Sequence, residues 1–399
     1  MKAKLLIGAL LGGAITFGAA HKAFADNGIT IGMAVAFSGW MEAYDGEATK
    51  MAQLWVDQTN AMGGLLGKRI KVISGDTKTD RVEGAKVGKD LIDQGANLLL
   101  VSADYDYGAP AALQAQKAGV ISTFLGASDP KAGVLGVGPF SFTANNAGQL
   151  EGAIMGDWGH EKKGFRKGYM LLDETIEYNK SVCAGYEWIF PNKGGTIVGR
   201  DTFKGLDPTI SSQITRLSDA IRTGGVDNIM LCSTNPGAAS SVRQLRAAGI
   251  NLPIMSATAM DGTYWLNSTP GLKDFYLPIQ ALTVNDTRPA VNELTAAFAK
   301  KFGKPPTTQY AYPIYAFLDM WSKAVTEAGT TDATKVVALL NKSDKTPTIL
   351  GPRTFTSKLH VQTSMPMIVV SYANDKETPV EEWSIKDTIP DAVLYRLKK

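Results

Sequence analysis

Two short apolar runs joined by a helical segment constrain the fold of this chain more than any other feature. Leu98–Ala103 and Val120–Leu125 are apolar enough to be strands buried on both faces, as the strands of parallel sheets are. Between them, Pro110 suits the first turn of a helix. Both runs end in polar loops, and open α/β sheets bind ligands in the crevice outside the carboxyl ends of such strands. The sequence therefore predicts a parallel sheet with a ligand site at this edge.

Strand-like and helix-like segments alternate along almost the whole chain, which is typical of an α/β fold whose parallel sheets are covered by helices on both faces. The alternation begins at Ile29–Phe37 and restarts after residue 146 with a second set of similar size. A hairpin between Pro352–Phe355 and Met367–Tyr372 is expected near the end of the chain. Because the length is too great for one comfortable core, we expect two lobes, with a single large unit as the alternative.

The first 25 residues have the features of a signal peptide. Lys2 and Lys4 precede the apolar segment Leu5–Ala20, and Ala23–Ala25 is a small-x-small cleavage pattern. The apolar segment is short for a membrane span. We therefore expect cleavage after Ala25 and export, with an uncleaved anchor as the alternative.

Removing this segment makes the chain nearly neutral. The sequence has 41 Lys and Arg residues against 38 Asp and Glu residues, and three of the lysines (Lys2, Lys4 and Lys22) lie within the first 25 residues. A near-neutral chain with no basic run is not expected to bind nucleic acid.

Signatures of enzymes and metal sites are mostly missing from the sequence. The histidines His21, His160 and His360 are isolated from one another, so we interpret them as surface residues. The segment Asp104–Gly108 begins like a calcium loop but lacks the third acid and the distal Glu. No nucleophile–base pair is apparent. We therefore expect neither an enzyme nor a cofactor or metal.

Cys183 and Cys232 are too few for a disulfide framework. They could pair in an oxidising compartment, but two buried free thiols are the interpretation we favour.

Several short segments follow one another at a characteristic spacing. They are Ile29–Gly39 with its Phe-Ser-Gly, Asn60–Gly64, Gly67–Ile70, Gly119–Pro130 and Leu350–Pro352. Their order resembles that of the type I periplasmic solute-binding proteins of ABC transporters, in the leucine/isoleucine/valine-binding family. The resemblance covers residues 27–399.

This resemblance implies a two-lobed fold in which each lobe is a parallel sheet flanked by helices. Lobe 1 would comprise 27–145 plus about 280–350, and lobe 2 would comprise 146–279 plus about 351–399, joined by a three-crossing hinge. The lobes would close over a small-molecule solute, and closure strengthens polar contacts by removing water. The implied partners are that solute and the permease subunits of an ABC transporter in the inner membrane, with a monomeric receptor. A ligand sensor on the same fold and an exported enzyme are the alternatives.

The resemblance also suggests ten ligand-binding residues. They are Trp40, Tyr44, Tyr105, Asp106, Gly126, Ser128, Tyr178, Asn235, Thr258 and Asp261. Tyr44 stands where the first loop of the family offers an aromatic ring, and Tyr178 matches a tyrosine of the second lobe that covers the ligand. Gly126 and Ser128 match a backbone carbonyl and a hydroxyl that grip an amino group and a carboxylate.

Other positions depart from the family pattern. Tyr105 and Asp106 stand where Ser or Thr normally meets a ligand carboxylate, and Thr258, with Asp261 nearby, stands where an acidic residue is expected. Asp106 would repel a ligand carboxylate in a closed cleft. The aromatic residues, together with the acids that include Asp104, better suit an amine, a quaternary ammonium or a hydroxylated ring. The alternative roles are structural, with Asp106 capping a helix and Trp40 a surface aromatic.

Overall fold

Two β-sheets flanked by helices make up the part of the chain that the computed structural model describes, residues 28–374 and 376–396. The predicted signal peptide and its cleavage site lie outside these residues. The strands are β1 (Ile29–Val35), β2 (Ile70–Asp76), β3 (Leu98–Val101), β4 (Ile121–Phe124), β5 (Ser141–Phe142), β6 (Lys167–Asp173), β7 (Thr196–Phe203), β8 (Asn228–Cys232), β9 (Ile254–Met255), β10 (Phe275–Ile279), β11 (Met367–Ala373) and β12 (Lys376–Trp383). The α-helices are α1 (Glu42–Ala61), α2 (Arg81–Asp93), α3 (Tyr105–Ala118), α4 (Gly148–Lys162), α5 (Glu177–Asn192), α6 (Ser211–Gly224), α7 (Gly237–Ala247), α8 (Pro289–Phe302), α9 (Tyr312–Ala328), α10 (Ala333–Leu340) and α11 (Asp391–Leu394).

The first sheet has the strand order β2-β1-β3-β4-β5 and is parallel throughout. The second sheet has the order β12-β11-β10-β9-β8-β6-β7, in which β11 pairs antiparallel with both β10 and β12 and the other neighbouring pairs are parallel. Every residue of β3 and β4 is buried, which explains why these strands are uninterrupted apolar runs in the sequence. The predicted α/β class, with two sheets flanked by helices, is confirmed.

The chain passes repeatedly between the two sheets. It leaves the first sheet after β5 and builds the second from β6 to β10, after which α8 and α9 pack on α1 and α10 packs on α9. The last two strands then return to the second sheet. We call the first sheet with α1–α3 and α8–α10 the first lobe, and the second sheet with α4–α7 and α11 the second lobe.

Helices α4 and α5 pack with their backbones almost in contact. A Cβ atom on Gly152 would lie 1.9 Å from the carbonyl oxygen of Val182, and one on Gly185 would lie 1.9 Å from that of Gln149. All residues of α4 from Gly148 to Gly159 are buried. A helix buried on all sides has no alternation of apolar and polar faces, so the sequence periodicity does not reveal α4.

The terminal hairpin differs from the prediction. Met367–Ala373 is a strand, but it pairs with β12 and not with Pro352–Phe355. β12 is the edge strand and its residues are mostly exposed and polar, so it lacks the apolar pattern of a strand. Pro379 is tolerated there because an edge strand has unpaired backbone groups.

The prediction of two free thiols is wrong, because Cys183 and Cys232 form a disulfide. It joins α5 to the end of β8 across Cα atoms 5.7 Å apart. The packing of α5 on β8 brings the two residues together, and their separation of 49 residues in the sequence gives no sign of it.

The surface interpretation of His360 is also wrong. Its ring stacks on Phe142 with centroids 3.8 Å apart and hydrogen-bonds to the carbonyl oxygen of Ser141 and the side chain of Asn341, 2.7 Å from each. Burial lowers the pKa of His360 to about 4, so the ring is neutral in the folded protein at neutral pH.

Within residues 28–374 and 376–396, no helix is both long and apolar enough to span a membrane.

Candidate functional site

The facing ends of the two lobes enclose a narrow cavity that is partly open to solvent and has about 20 Å³ of space for the centre of a water molecule. It is formed by the segments that follow β1, β3 and β4 and precede α9 in the first lobe, and by those that follow β6, β8 and β9 in the second. The lining residues are Trp40, Met41, Tyr44, Ala103, Asp104, Gly126, Ser128, Ile176, Tyr178, Thr234, Ala259 and Tyr310. The cavity thus lies outside the carboxyl ends of the strands, at the edge that the two apolar runs predict.

Aromatic rings form much of the first-lobe wall. Trp40 meets Tyr44 edge to face with ring centroids 6.2 Å apart, and Tyr44 meets Tyr310 in the same way at 5.4 Å. Tyr310 lies against Gly126, where a Cβ atom would come within 2.6 Å of the ring. Since the face of an aromatic ring attracts cations and its edge and face both pack on other rings, this wall suits a cationic or an aromatic solute.

A buried carboxylate, that of Asp45, holds the start of α1 and so positions the neighbouring Tyr44. Asp45 accepts hydrogen bonds from the backbone N–H groups of Ala36 and Ala103, each at 2.7 Å. The hydroxyl of Ser102 donates to the same carboxylate at 3.2 Å. Burial raises the pKa of Asp45 to about 6, although these hydrogen bonds oppose the rise. The carboxylate therefore fastens α1 to the ends of β1 and β3.

A second buried carboxylate, that of Glu151 on α4, accepts hydrogen bonds from hydroxyl groups on both sides of the cavity. Ser128 Oγ donates to its Oε1 at 2.9 Å, and the hydroxyls of Tyr178 and Thr258 donate to its Oε2 at 2.7 and 2.8 Å. The backbone N–H of Thr258 donates to Oε2 as well, at 3.2 Å. Burial raises the pKa of Glu151 to about 7 despite these bonds. Glu151 thereby connects the loop after β4 with two segments of the second lobe.

Tyr44 joins the two lobes directly. Its hydroxyl donates to the carbonyl oxygen of Ala259 at 3.0 Å and accepts from the backbone N–H of Asn235 at 3.0 Å. Tyr44 lies on α1 of the first lobe, whereas Asn235 and Ala259 follow β8 and β9 of the second. These two bonds exist only when the lobes are closed on one another.

Two of the predicted ligand-binding acids also join the lobes and do not line the cavity. Asp106 accepts from the backbone N–H of Glu177, the first residue of α5, at 2.8 Å and pairs with Arg81 at 2.9 Å. Asp261 accepts from the hydroxyl of Thr308 at 2.8 Å. Burial raises the pKa of Asp261 well above its usual range. Asp106 therefore caps a helix of the opposite lobe, while Asp104 caps α3.

The structure brings most of the ten predicted residues together. Those that line the cavity are Trp40, Tyr44, Gly126, Ser128 and Tyr178. Thr258 and Asn235 lie directly behind the lining, bonded to Tyr178 and Tyr44. Tyr105, Asp106 and Asp261 are outside it.

Sequence reasoning missed Glu151 and Tyr310 as residues of the site. Glu151 lies on α4, which has no amphipathic pattern, whereas Tyr310 lies in a single 3-10 turn just before α9 and carries no motif of its own. Asp104 was recognised as one of several acids but not as a lining residue.

The cavity wall contains one acidic side chain. Apart from tyrosines, Asp104 is the one ionisable residue of the lining, which contains no Lys, Arg or His. Burial raises the pKa of Asp104 well above its usual range, and the nearby Asp106 raises it further. In the described part of the chain no group of three or more His, Cys, Asp and Glu side chains is placed to hold a metal ion.

Comparison with known proteins agrees with this architecture. A family model described as periplasmic binding protein matches residues 28–377. The chain is 23% identical over 346 residues to Leu/Ile/Val-binding protein homolog 3 of Brucella melitensis, covering 86% of this chain and 90% of that protein. It is 22% identical over 335 residues to Leu/Ile/Val-binding protein BraC3 of Rhizobium johnstonii, covering 82% and 87%.

Solved structures with the same fold hold different solutes. The branched-chain amino acid transporter substrate binding protein LivJ of Streptococcus pneumoniae, in complex with isoleucine, superposes with a TM-score of 0.79 at 22% identity over 90% of this chain and 100% of that one. A solute binding protein of an ABC transporter from Rhodopseudomonas palustris, in complex with 3,4-dihydroxy benzoic acid, superposes with a TM-score of 0.74 at 18% identity over 91% and 98%. The fold alone therefore does not fix the solute.

Proposed function

Since the chain belongs to the periplasmic binding protein family, we propose that it is the solute-binding component of an ABC importer. It captures a small organic solute between its lobes in the periplasm and delivers it unchanged to a membrane permease. The observation that carries this proposal is the cavity at the junction of the lobes, which Tyr44 closes through bonds to both Asn235 and Ala259. A site of this kind opens and closes with the movement of the lobes.

The proposed solute is small and carries an amine, an amino-acid-like group or a polar aromatic ring. The aromatic wall and the buried carboxyl of Asp104 support such a solute. We propose that Trp40, Tyr44, Gly126, Ser128 and Tyr178 contact it, together with Asp104 and Tyr310.

The remaining features of the proposal concern the whole protein. We propose export through a signal peptide over residues 1–25, cleavage after Ala25, a monomeric state and lobe boundaries near residues 145, 280 and 350. The alternative of a sensor on the same fold predicts a neighbouring gene for a sensor kinase, whereas an importer predicts neighbouring genes for a permease and an ATPase.

Native mass spectrometry of the mature protein, followed by a thermal-shift screen of amines, amino acids and aromatic acids, tests the proposal. A solute at 100 times its Kd stabilises the folded protein by about 2.7 kcal/mol, which raises the unfolding temperature measurably. We expect a co-purified solute that is recovered unchanged. A chemically altered solute would favour the exported enzyme, and the lack of any co-purified or stabilising solute would refute solute binding.

A further inference from the structure

We propose that Glu151 makes the site select its solute by charge. It makes the hydroxyls around the cavity into hydrogen-bond acceptors, so that the site takes a solute with an ammonium group and rejects one whose only charged group is a carboxylate. This inference rests on the proposed function and narrows its solute to one chemical class.

The argument begins with the direction of the hydrogen bonds. In the ionised form of Glu151, which a bound cation favours, the carboxylate only accepts, so each hydroxyl that touches it donates its proton to it. Ser128, Tyr178 and Thr258 do so at 2.7–2.9 Å. The oxygen of Thr258 then accepts from the hydroxyl of Tyr310 at 3.1 Å. Three of these four hydroxyls therefore donate directly to the carboxylate of Glu151, and the fourth, that of Tyr310, donates to Thr258.

The hydroxyl of Tyr44 is already engaged between the lobes, since it donates to the carbonyl oxygen of Ala259 and accepts from the backbone N–H of Asn235. The hydroxyls of Ser128, Tyr178 and Tyr310 belong to the cavity lining. Ser128 also accepts from the side-chain amide of Asn145 at 2.9 Å and Tyr178 from the backbone N–H of Ala259 at 3.2 Å, so what the three hydroxyls can still offer a solute is a remaining lone pair. Thr234 and Asp104, whose neutral form is favoured by burial, are the other polar side chains of the lining. Neutral donors do not compensate for burying a carboxylate.

An ammonium group meets these acceptors well. It has only donors, and the cavity also presents ring faces to a cation. A solute carboxylate would face these lone pairs in a site from which closure has removed water, where repulsion is strengthened. Glu151 is fully buried and is not part of the lining, so it acts on the solute through the hydroxyls and is a positioning residue.

The ionisation of Glu151 gives a second readout. Burial raises its pKa to about 7, and a cation bound nearby favours the charged form. The titratable groups that face it are Tyr178 on α5 and Tyr310 before α9, and burial raises the pKa of both well above 10.0, so they stay protonated donors. Binding of a cation near neutral pH should therefore release protons and strengthen as the pH rises from about 6 to 8.

Four probes with a common phenylethyl group test the inference by isothermal titration calorimetry. They are phenethylamine, 2-phenylethanol, 3-phenylpropanoate and phenylalanine. For the unmodified protein we expect phenethylamine to bind at least about tenfold more tightly than the alcohol or the propanoate, because a hydrogen bond from a charged group contributes more than one from a neutral group. Equal or tighter binding of 3-phenylpropanoate overturns the inference, and so does a failure of phenethylamine to bind.

The variant Glu151→Gln keeps the shape of the side chain but adds an amide donor, which forces a hydroxyl to turn toward the cavity. We expect it to lose about tenfold to 100-fold in affinity for phenethylamine. Its affinity for 2-phenylethanol should stay within about threefold of the original, and its pH dependence between 6 and 8 should disappear. The matched control is Glu161→Gln, an exposed acid on the same helix, which should change neither.

Equal losses for the amine and the alcohol in Glu151→Gln would mean that Glu151 is merely structural. If this variant does not fold, Tyr310→Phe removes one acceptor at the cavity and should weaken phenethylamine selectively. The proposed function fails separately: it falls only when no probe binds and native mass spectrometry of the purified protein finds no solute. Selective binding of an anionic solute would overturn the inference and leave solute capture intact.

Discussion

The hydroxyl of Tyr44 should contribute to the affinity for every solute, because it holds the lobes closed. Tyr44→Phe removes its bonds to Ala259 and Asn235, both 3.0 Å long, and keeps the ring that packs against Tyr310. A hydrogen bond contributes about 0.5–1.5 kcal/mol net, so two such bonds stabilise the closed form by about 1–3 kcal/mol relative to the open form. The apparent affinity of a solute that requires the closed form should fall by the same free energy, about 5-fold to 150-fold.

Calorimetry with the co-purified solute and with phenethylamine measures this effect. A weaker closed form lowers both affinities by a common factor, whereas loss of a direct contact would affect the two solutes differently. The control is Tyr315→Phe, which removes a hydroxyl bonded to Gln58 at 2.9 Å within the first lobe. It should cost stability and leave both affinities unchanged. Unchanged affinity in Tyr44→Phe, with normal folding, would refute the role of Tyr44 in closure.

Three further predictions concern stability. The pKa of His360 is lowered to about 4, so its contribution is complete above the unfolded value of about 6.5 and is lost as the pH falls through 4; denaturant titrations should show roughly 3 kcal/mol less acid destabilisation in His360→Gln. Gly152→Ala should unfold at a markedly lower temperature because its Cβ would lie 1.9 Å from a carbonyl oxygen, whereas Gly224→Ala, with nothing within 4 Å, should be neutral or stabilising; equal melting temperatures would contradict this. Replacing Cys183 and Cys232 by Ser should cost about 2–4 kcal/mol in denaturant titrations, and no loss would mean that the cross-link does not constrain the unfolded chain.

The sequence predicts two kinds of element: helices with one buried face, and short strands that are buried on both faces. β3 and β4 are apolar because both their faces are covered, and α6 shows a regular stripe because only one of its faces is. Helix α4 and strand β12 are the opposite cases. α4 is buried on all sides through its glycine contacts with α5, and β12 is an exposed edge strand. The apolar residues of neither element therefore recur with the period that is typical of a helix or a strand.

The site is predictable to the level of its loops and not to the roles of its residues. The loops after β3, β4, β6 and β8 line the cavity because parallel strands end at one edge of a sheet. Whether a polar residue of such a loop points into the cavity or toward the opposite lobe depends on how the lobes meet, which no local pattern records. Asp104 lines the cavity and Asp106 does not, although they are two residues apart.

Closing and recognition use the same strand ends, so both kinds of residue change affinity when they are altered. A loss of affinity alone therefore cannot assign a role to Tyr44 or Glu151. Dependence on the charge of the solute can assign it. The bonds of Tyr44 to Asn235 and Ala259 act on the equilibrium between open and closed forms, and their loss should weaken cationic and neutral solutes by one common factor. The bonds of Glu151 orient donors and acceptors, and their loss should change the ratio between those solutes. The free energy of closing is common to all solutes, so the effects of the two substitutions should add. The double variant should therefore have the same ratio of cationic to neutral affinity as Glu151→Gln, with both affinities lowered by the factor measured for Tyr44→Phe.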